Sequence, residues 1–102
     1  MTSYGFHPDA LVEYEDATRY YLEQASPIVA AAFVAAVESA IQTVLASPMT
    51  WRVVDEPAVR RYLLSRFPYA LYYRWDQGRD RVAFYAVMHL RRQPGYWRYR
   101  LA

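Results

Sequence analysis

Cysteine and lysine are both absent from this sequence, and only 3 glycines and 2 histidines occur among its 102 residues. Without cysteine there is no disulfide framework, no thiolate nucleophile and no zinc-thiolate site. His7 and His89 stand far apart in the chain, so no metal-ligand spacing remains. The glycines form neither a phosphate loop nor a dinucleotide-binding turn, and no serine sits in a nucleophile elbow. We therefore expect no metal and no cofactor. Long apolar runs are missing too: the longest, Ile28–Val37, has about half of the roughly 20 residues a membrane span requires. The opening residues lack the basic-then-apolar pattern of a secretory leader, so the expected location is the cytoplasm, with no membrane partner.

What the sequence does contain is arginine and aromatic side chains, unevenly placed. Residues 51–102 hold 11 arginines against four acids, whereas residues 1–50 hold one arginine against six acids, so the formal net charge of +2 conceals a dipole. The basic half interleaves Arg60, Arg61, Arg66, Arg74, Arg91, Arg92 and Arg98 with Tyr69, Tyr72, Tyr73, Tyr96 and Trp97. Such a surface meets phosphates, stacks on bases or docks an acidic protein segment. Arginine also forks onto carboxylate or phosphate and stacks on rings in ways lysine does not.

The length suits one hydrophobic core, and residues 1–102 are expected to form a single domain. Ser3–His7 reads as an opening strand with Tyr4 and Phe6 on one face, ended by Pro8. Leu11, Tyr14, Thr18, Tyr21, Leu22 and Ala25 recur at helical spacing, which predicts a helix over Asp9–Ala25 with Glu13, Asp16 and Glu23 largely outward. Ser26-Pro27 is a helix-start signal, and the stripe Ala30, Phe33, Val34, Val37, Ile41, Val44 and Leu45 continues until Ser47-Pro48. After a loop over Met49–Pro57, strands are predicted at Val59–Ser65, Tyr69–Trp75 and Arg81–His89, the last two joined by a turn over residues 76–80. The expected fold is α+β in the order β-α-α-β-β-β: two layers, a helix hairpin on a mainly antiparallel sheet, then a polar-aromatic tail from Gln93 to Ala102.

Few residues stand out as candidates for chemistry. Arg60 and Arg61 begin a strand and should face opposite ways, so only one joins a given site. Arg91 and Arg92 follow the last strand. Either pair also serves as solvated charge that discourages sheet edges from associating. His89, at a strand end, fits acid–base work or plain packing and hydrogen bonding. Tyr96 and Trp97 fit base stacking, and the Tyr96 hydroxyl fits protonation of a leaving oxygen, but adjacent aromatics in a tail also pin it to a core. We favour pinning for one of the two rings. Glu38 and the acids of the first helix read as a solvated helix surface.

The run Arg60-Arg61-Tyr62-Leu63-Leu64-Ser65-Arg66-Phe67-Pro68-Tyr69-Ala70-Leu71-Tyr72-Tyr73-Arg74 resembles the strand-turn-strand signature of the RelE/ParE superfamily of type II toxins. Val87-Met88-His89-Leu90-Arg91-Arg92-Gln93-Pro94-Gly95-Tyr96-Trp97 is similar to its closing motif, and Phe6-His7-Pro8-Asp9-Ala10 fits its opening. The resemblance implies the two-layer fold above and a toxin, often described as a plasmid-stabilisation protein, neutralised by a cognate antitoxin whose amphipathic segment wraps over it. Ribosome-dependent mRNA-cleaving members of the superfamily use several cations and a terminal tyrosine. Arg61 and Arg92 match two of those cations and Tyr96 lies near the tyrosine, but Leu63 and Ala70 stand where other cations are expected. The Phe-Pro-Tyr turn and the Arg-Arg-x-Pro-x-Tyr-Trp ending look closer to the ParE branch, which inhibits DNA gyrase without cleaving RNA. The leading expectation is thus a gyrase-inhibiting toxin. The alternatives are an endoribonuclease using Arg61, Arg92 and Tyr96, with His89 a weaker candidate, and a non-toxic binding module. Target or antitoxin contacts are expected from Arg60, Arg66, Tyr69, Arg74, Arg91, Trp97 and Arg98.

Overall fold

Both helices begin where short-range chemistry dictates. In the computed structural model, which describes residues 1–101, strand β1 (Ser3–Phe6) is followed by His7, whose Nδ1 accepts the Asp9 N–H at 3.1 Å and caps α1 (Pro8–Gln24). Pro8 occupies the first turn, where a missing N–H costs nothing, and Asp9 beside it suits the positive end of the helix dipole. Ser26 Oγ accepts the Val29 N–H at 3.1 Å and starts α2 (Pro27–Ala46) in the same way. By length and composition α2 is apolar enough to cross a membrane. Its Phe33, Val37, Ile41 and Val44 are nevertheless fully buried in the protein core, the arrangement of a core helix in a globular domain.

Four further strands follow: β2 (Val53–Asp55), β3 (Val59–Leu63), β4 (Tyr69–Asp76) and β5 (Arg81–His89). They form one five-stranded sheet in the order β1-β5-β4-β3-β2, antiparallel except for the parallel pair β1 and β5. The two-layer α+β arrangement is as expected, with one strand more. Val53–Asp55, read as loop, pairs with β3 through Val53↔Arg60 and Asp55↔Val59; three residues are too few to show an alternation. β3 also stops at Leu63, before the expected Ser65. Arg66 follows with a φ of 73°, in the turn that returns the chain at Tyr69.

The sheet is covered on both faces. Leu71, Tyr73, Val82 and Phe84 pack against α2, while Val59, Ala70, Tyr72, Ala86 and Met88 form a second apolar layer closed by Trp97. Along α1 the buried positions are Ala10 and Ala17, with Tyr14 and Tyr21 packed on the core. Leu11 and Leu22, expected on the apolar stripe, are 45% and 50% exposed.

Burial of the core phenols has a pH consequence. Tyr73 donates to the Pro48 carbonyl at 2.7 Å, and burial pushes its phenol up from 10.0 to about 12; burial likewise raises Tyr14 and Tyr69. A raised phenol favours the neutral form in the folded state. Its stabilising contribution is therefore whole below the unfolded value of 10.0 and is lost as pH rises through about 12. Tyrosinate absorbance should show these rings titrating after the exposed ones. Stability measured by urea denaturation should decline from pH 10.0 upward.

Candidate functional site

The site is created by a place where the sheet is incomplete. β1 ends at Phe6, opposite Phe84, and Tyr85 is an extra residue bulged out of the β4–β5 register. From Tyr85 onward β5 has lost its β1 neighbour, which leaves backbone groups of Tyr85 and Val87 without sheet partners. Glu13, one turn and a half into α1, stands beside this edge and accepts the Val87 N–H on Oε1 at 3.0 Å.

The chain after β5 returns to the same carboxylate. Arg100 forks onto Glu13 at 2.9 and 3.1 Å and donates to the Tyr85 carbonyl at 3.0 Å. Tyr96 donates its hydroxyl to Glu13 Oε2 at 2.5 Å, and Arg92 reaches the same oxygen at 3.2 Å while lying 3.8 Å over the Tyr96 ring. Tyr99 donates to Asp9 at 2.5 Å and accepts from Arg100 at 3.1 Å. Glu13 and Arg100 are 11% and 5% exposed at the side chain, so this is a largely buried, fully hydrogen-bonded ion pair. Burial raises the Tyr96 phenol and the Glu13 carboxylate raises it further. For Arg100, burial works against the charge, but the hydrogen bonds it donates to Glu13 and Tyr99 outweigh that and hold the guanidinium above its ordinary value.

Of the expected site residues, the structure joins Arg92 and Tyr96 and leaves Arg61 apart, on β3 with β4 between it and β5. Arg60 and Arg61 do face opposite ways. Arg60 donates to the Met49 and Trp51 carbonyls, which ties it to the loop after α2; Arg61 lies in register with Tyr72. Tyr69 and Trp97 are largely buried rings: Tyr69 packs on Tyr21, Phe33 and His89, and Trp97 on Tyr72. Trp97 is the ring that pins the tail. Arg98 is paired with Asp55 at 2.6 Å and holds that carboxyl below its usual range. His89 Nδ1 accepts the Arg91 N–H at 3.1 Å while the ring packs on Tyr69, a packing and hydrogen-bonding role. Arg66 and Arg91 are exposed, and Arg74 is half-buried on β4 near Arg79, Arg81 and Tyr85. Leu63 and Ala70 are register partners on adjacent strands; Leu63 is half exposed, whereas Ala70 is fully buried in the layer that Trp97 closes.

Glu13, expected on a solvated helix surface, is instead the centre of the network, with Asp9, Tyr99 and Arg100 as further members. A signal for Glu13 lies in its spacing, three residues after Ala10 and four before Ala17, the two buried positions of α1. Among the described residues, no cluster of three or more His, Asp or Glu side chains is placed to hold a metal ion. A shallow hollow of about 250 Å³ beside Glu13, lined by Asp16, Tyr20, Tyr69, His89 and Arg92, is open to solvent.

Comparison with known proteins agrees with this architecture. The family described as the ParE toxin of the type II toxin-antitoxin system parDE matches residues 4–94. A solved structure described as the chromosomal ParDE toxin-antitoxin system from P. aeruginosa superposes with a TM-score of 0.74 at 17% identity. The match covers 88% of this chain and 97% of that one, and at such identity it is a likeness of fold. No curated protein is similar enough to this chain to count as a match.

Proposed function

Since the chain belongs to the ParE toxin family of type II toxin-antitoxin systems, we propose that it is a cytoplasmic toxin that inhibits DNA gyrase without cleaving RNA and is neutralised by a cognate antitoxin. The observation that carries the non-nuclease reading is the Glu13 network. Tyr96, which lies near the nuclease tyrosine's position, already donates its proton to a carboxylate that raises its pKa, which makes it a poorer acid. Arg92 is tethered to the same carboxylate, Arg61 stands away from both, and Leu63 and Ala70 supply no cations. Electrostatic stabilisation, usually the largest catalytic term for phosphate chemistry, is weak in such a site.

An antitoxin finds complementary features here. Arg61 and Arg74 on the sheet attract acidic residues, and the exposed Leu11, Leu22 and Ile28 of the helix hairpin offer anchors for an amphipathic segment. Expression without antitoxin should arrest growth with induction of a DNA-damage response and intact transcripts. Codon-positioned cuts in transcripts, lost on Arg92→Ala, would support the ribosome-dependent nuclease instead. Unimpaired growth on expression of soluble protein would leave only the binding module.

A further inference from the structure

Three side chains delivered by the segment after β5 converge on one carboxylate of α1, and that segment has little else to give it a shape. Between His89 and the short helical turn Arg98–Leu101 there is no regular structure. Its first residues are fixed by Leu90 N–H to the Pro68 carbonyl and Arg92 N–H to the His89 carbonyl, and Gly95, with a φ of 81°, turns the chain toward Tyr96. Beyond that point side chains hold it. Trp97 sits on the sheet, and Tyr96 and Arg100 grip Glu13.

We propose that Glu13 is a positioning residue for the toxic surface: it clasps the segment after β5 to the open edge of the sheet and so fixes how Arg91 and Arg92 are displayed to the target. This rests on the proposed inhibition of gyrase and on the expectation that Arg91 contacts the target. Arg92 has the geometry of a displayed group. One guanidinium nitrogen is tethered to Glu13 and its face is backed by the Tyr96 ring, yet 54% of the side chain remains exposed. Arg91, one residue earlier, is exposed, with its backbone N–H held by His89. Arg100 is consumed in the clasp. Loss of the Glu13 charge leaves the Arg100 guanidinium buried without its counter-ion, which brings a state with residues 96–101 lifted off the sheet closer in free energy, against the hold of Trp97. The arginine pair then loses its backing and must be ordered at the moment of binding, which costs affinity.

The test uses the full chain as wild type, Glu13→Gln and Arg100→Met, with amide hydrogen exchange and gyrase supercoiling measured on each. In both variants amides of residues 92–101 should exchange at least about tenfold faster while β3 and β4 keep their protection. The concentration for half-inhibition of gyrase should rise by about tenfold. Unchanged exchange of residues 92–101 overturns the proposal, as does faster exchange with full inhibition. Loss of protection across β3 and β4 in both variants overturns it too, because Glu13 is then a general fold residue. A wild-type protein that leaves gyrase untouched removes the gyrase reading alone; growth arrest on expression then replaces inhibition as the second readout, with the same loss expected in both variants.

Discussion

Trp97→Ala is expected to lower the unfolding free energy by about 3–5 kcal/mol, the usual cost of emptying a buried aromatic site. The indole is 2% exposed and lies 4.9 Å from the Tyr72 ring, closing a layer that otherwise contains Val59, Ala70, Ala86 and Met88. Two of those neighbours are alanines on a hydrogen-bonded sheet, so the vacated volume has little to collapse into it. The loss is capped by the free energy of docking the tail, because a chain that can detach locally need not unfold globally. Trp97→Phe should cost much less than Trp97→Ala. The indole N–H has no acceptor among the described residues, so no hydrogen bond to them is lost with it and most of the ring contact survives. Urea denaturation of the two variants checks the order; equal losses would mean that the ring does not fill the layer as described.

The second large effect concerns charge. Arg100→Met is expected to cost about 3 kcal/mol, because removing one member of a buried pair strands the other. Glu13 keeps the Val87 N–H, Tyr96 and Arg92 when Arg100 is replaced, which places the loss at the lower end of the range for such pairs. Glu13→Gln strands Arg100 instead and should cost a similar amount. The double variant should be less damaged than the two single losses together, by about 1–3 kcal/mol, since neither charge is left behind. A denaturant-based double-mutant cycle measures this coupling. Additive losses would show that the two groups act separately, contrary to the bidentate geometry at 2.9 and 3.1 Å.

The parts of the fold legible in the sequence are those with local causes. Pro8, the Ser26-Pro27 pair and Ser47-Pro48 mark helix ends because capping and the missing proline N–H act within a turn. β4 and β5 carry enough alternating bulky residues to declare themselves. β2 does not, and neither the parallel seat of β1 beside β5 nor the bulge at Tyr85 has a local signature, since both are settled by partners far along the chain.

The site divides in the same way. Arg92 and Tyr96 were identifiable by pattern, but Glu13 meets them across 79 and 83 residues and Arg100 across 87, and no local signal carries such separations. Leu11 and Leu22 were misplaced because α1 is apolar on more than one side, and the small alanines, rather than the leucines, mark where the helix touches the sheet. Trp97 carried two readings that only packing distinguishes. A tryptophan next to arginines looks the same in sequence whether it docks a partner or plugs a core.

The proposed activity is inhibition of gyrase without cleavage of RNA. The most direct measurement is supercoiling by purified gyrase titrated with this protein, alongside ribosomes translating a defined mRNA. The expected result is loss of supercoiling, relieved by the cognate antitoxin and weakened by Arg92→Ala, with the mRNA intact. Full supercoiling in the presence of cleaved mRNA would contradict it.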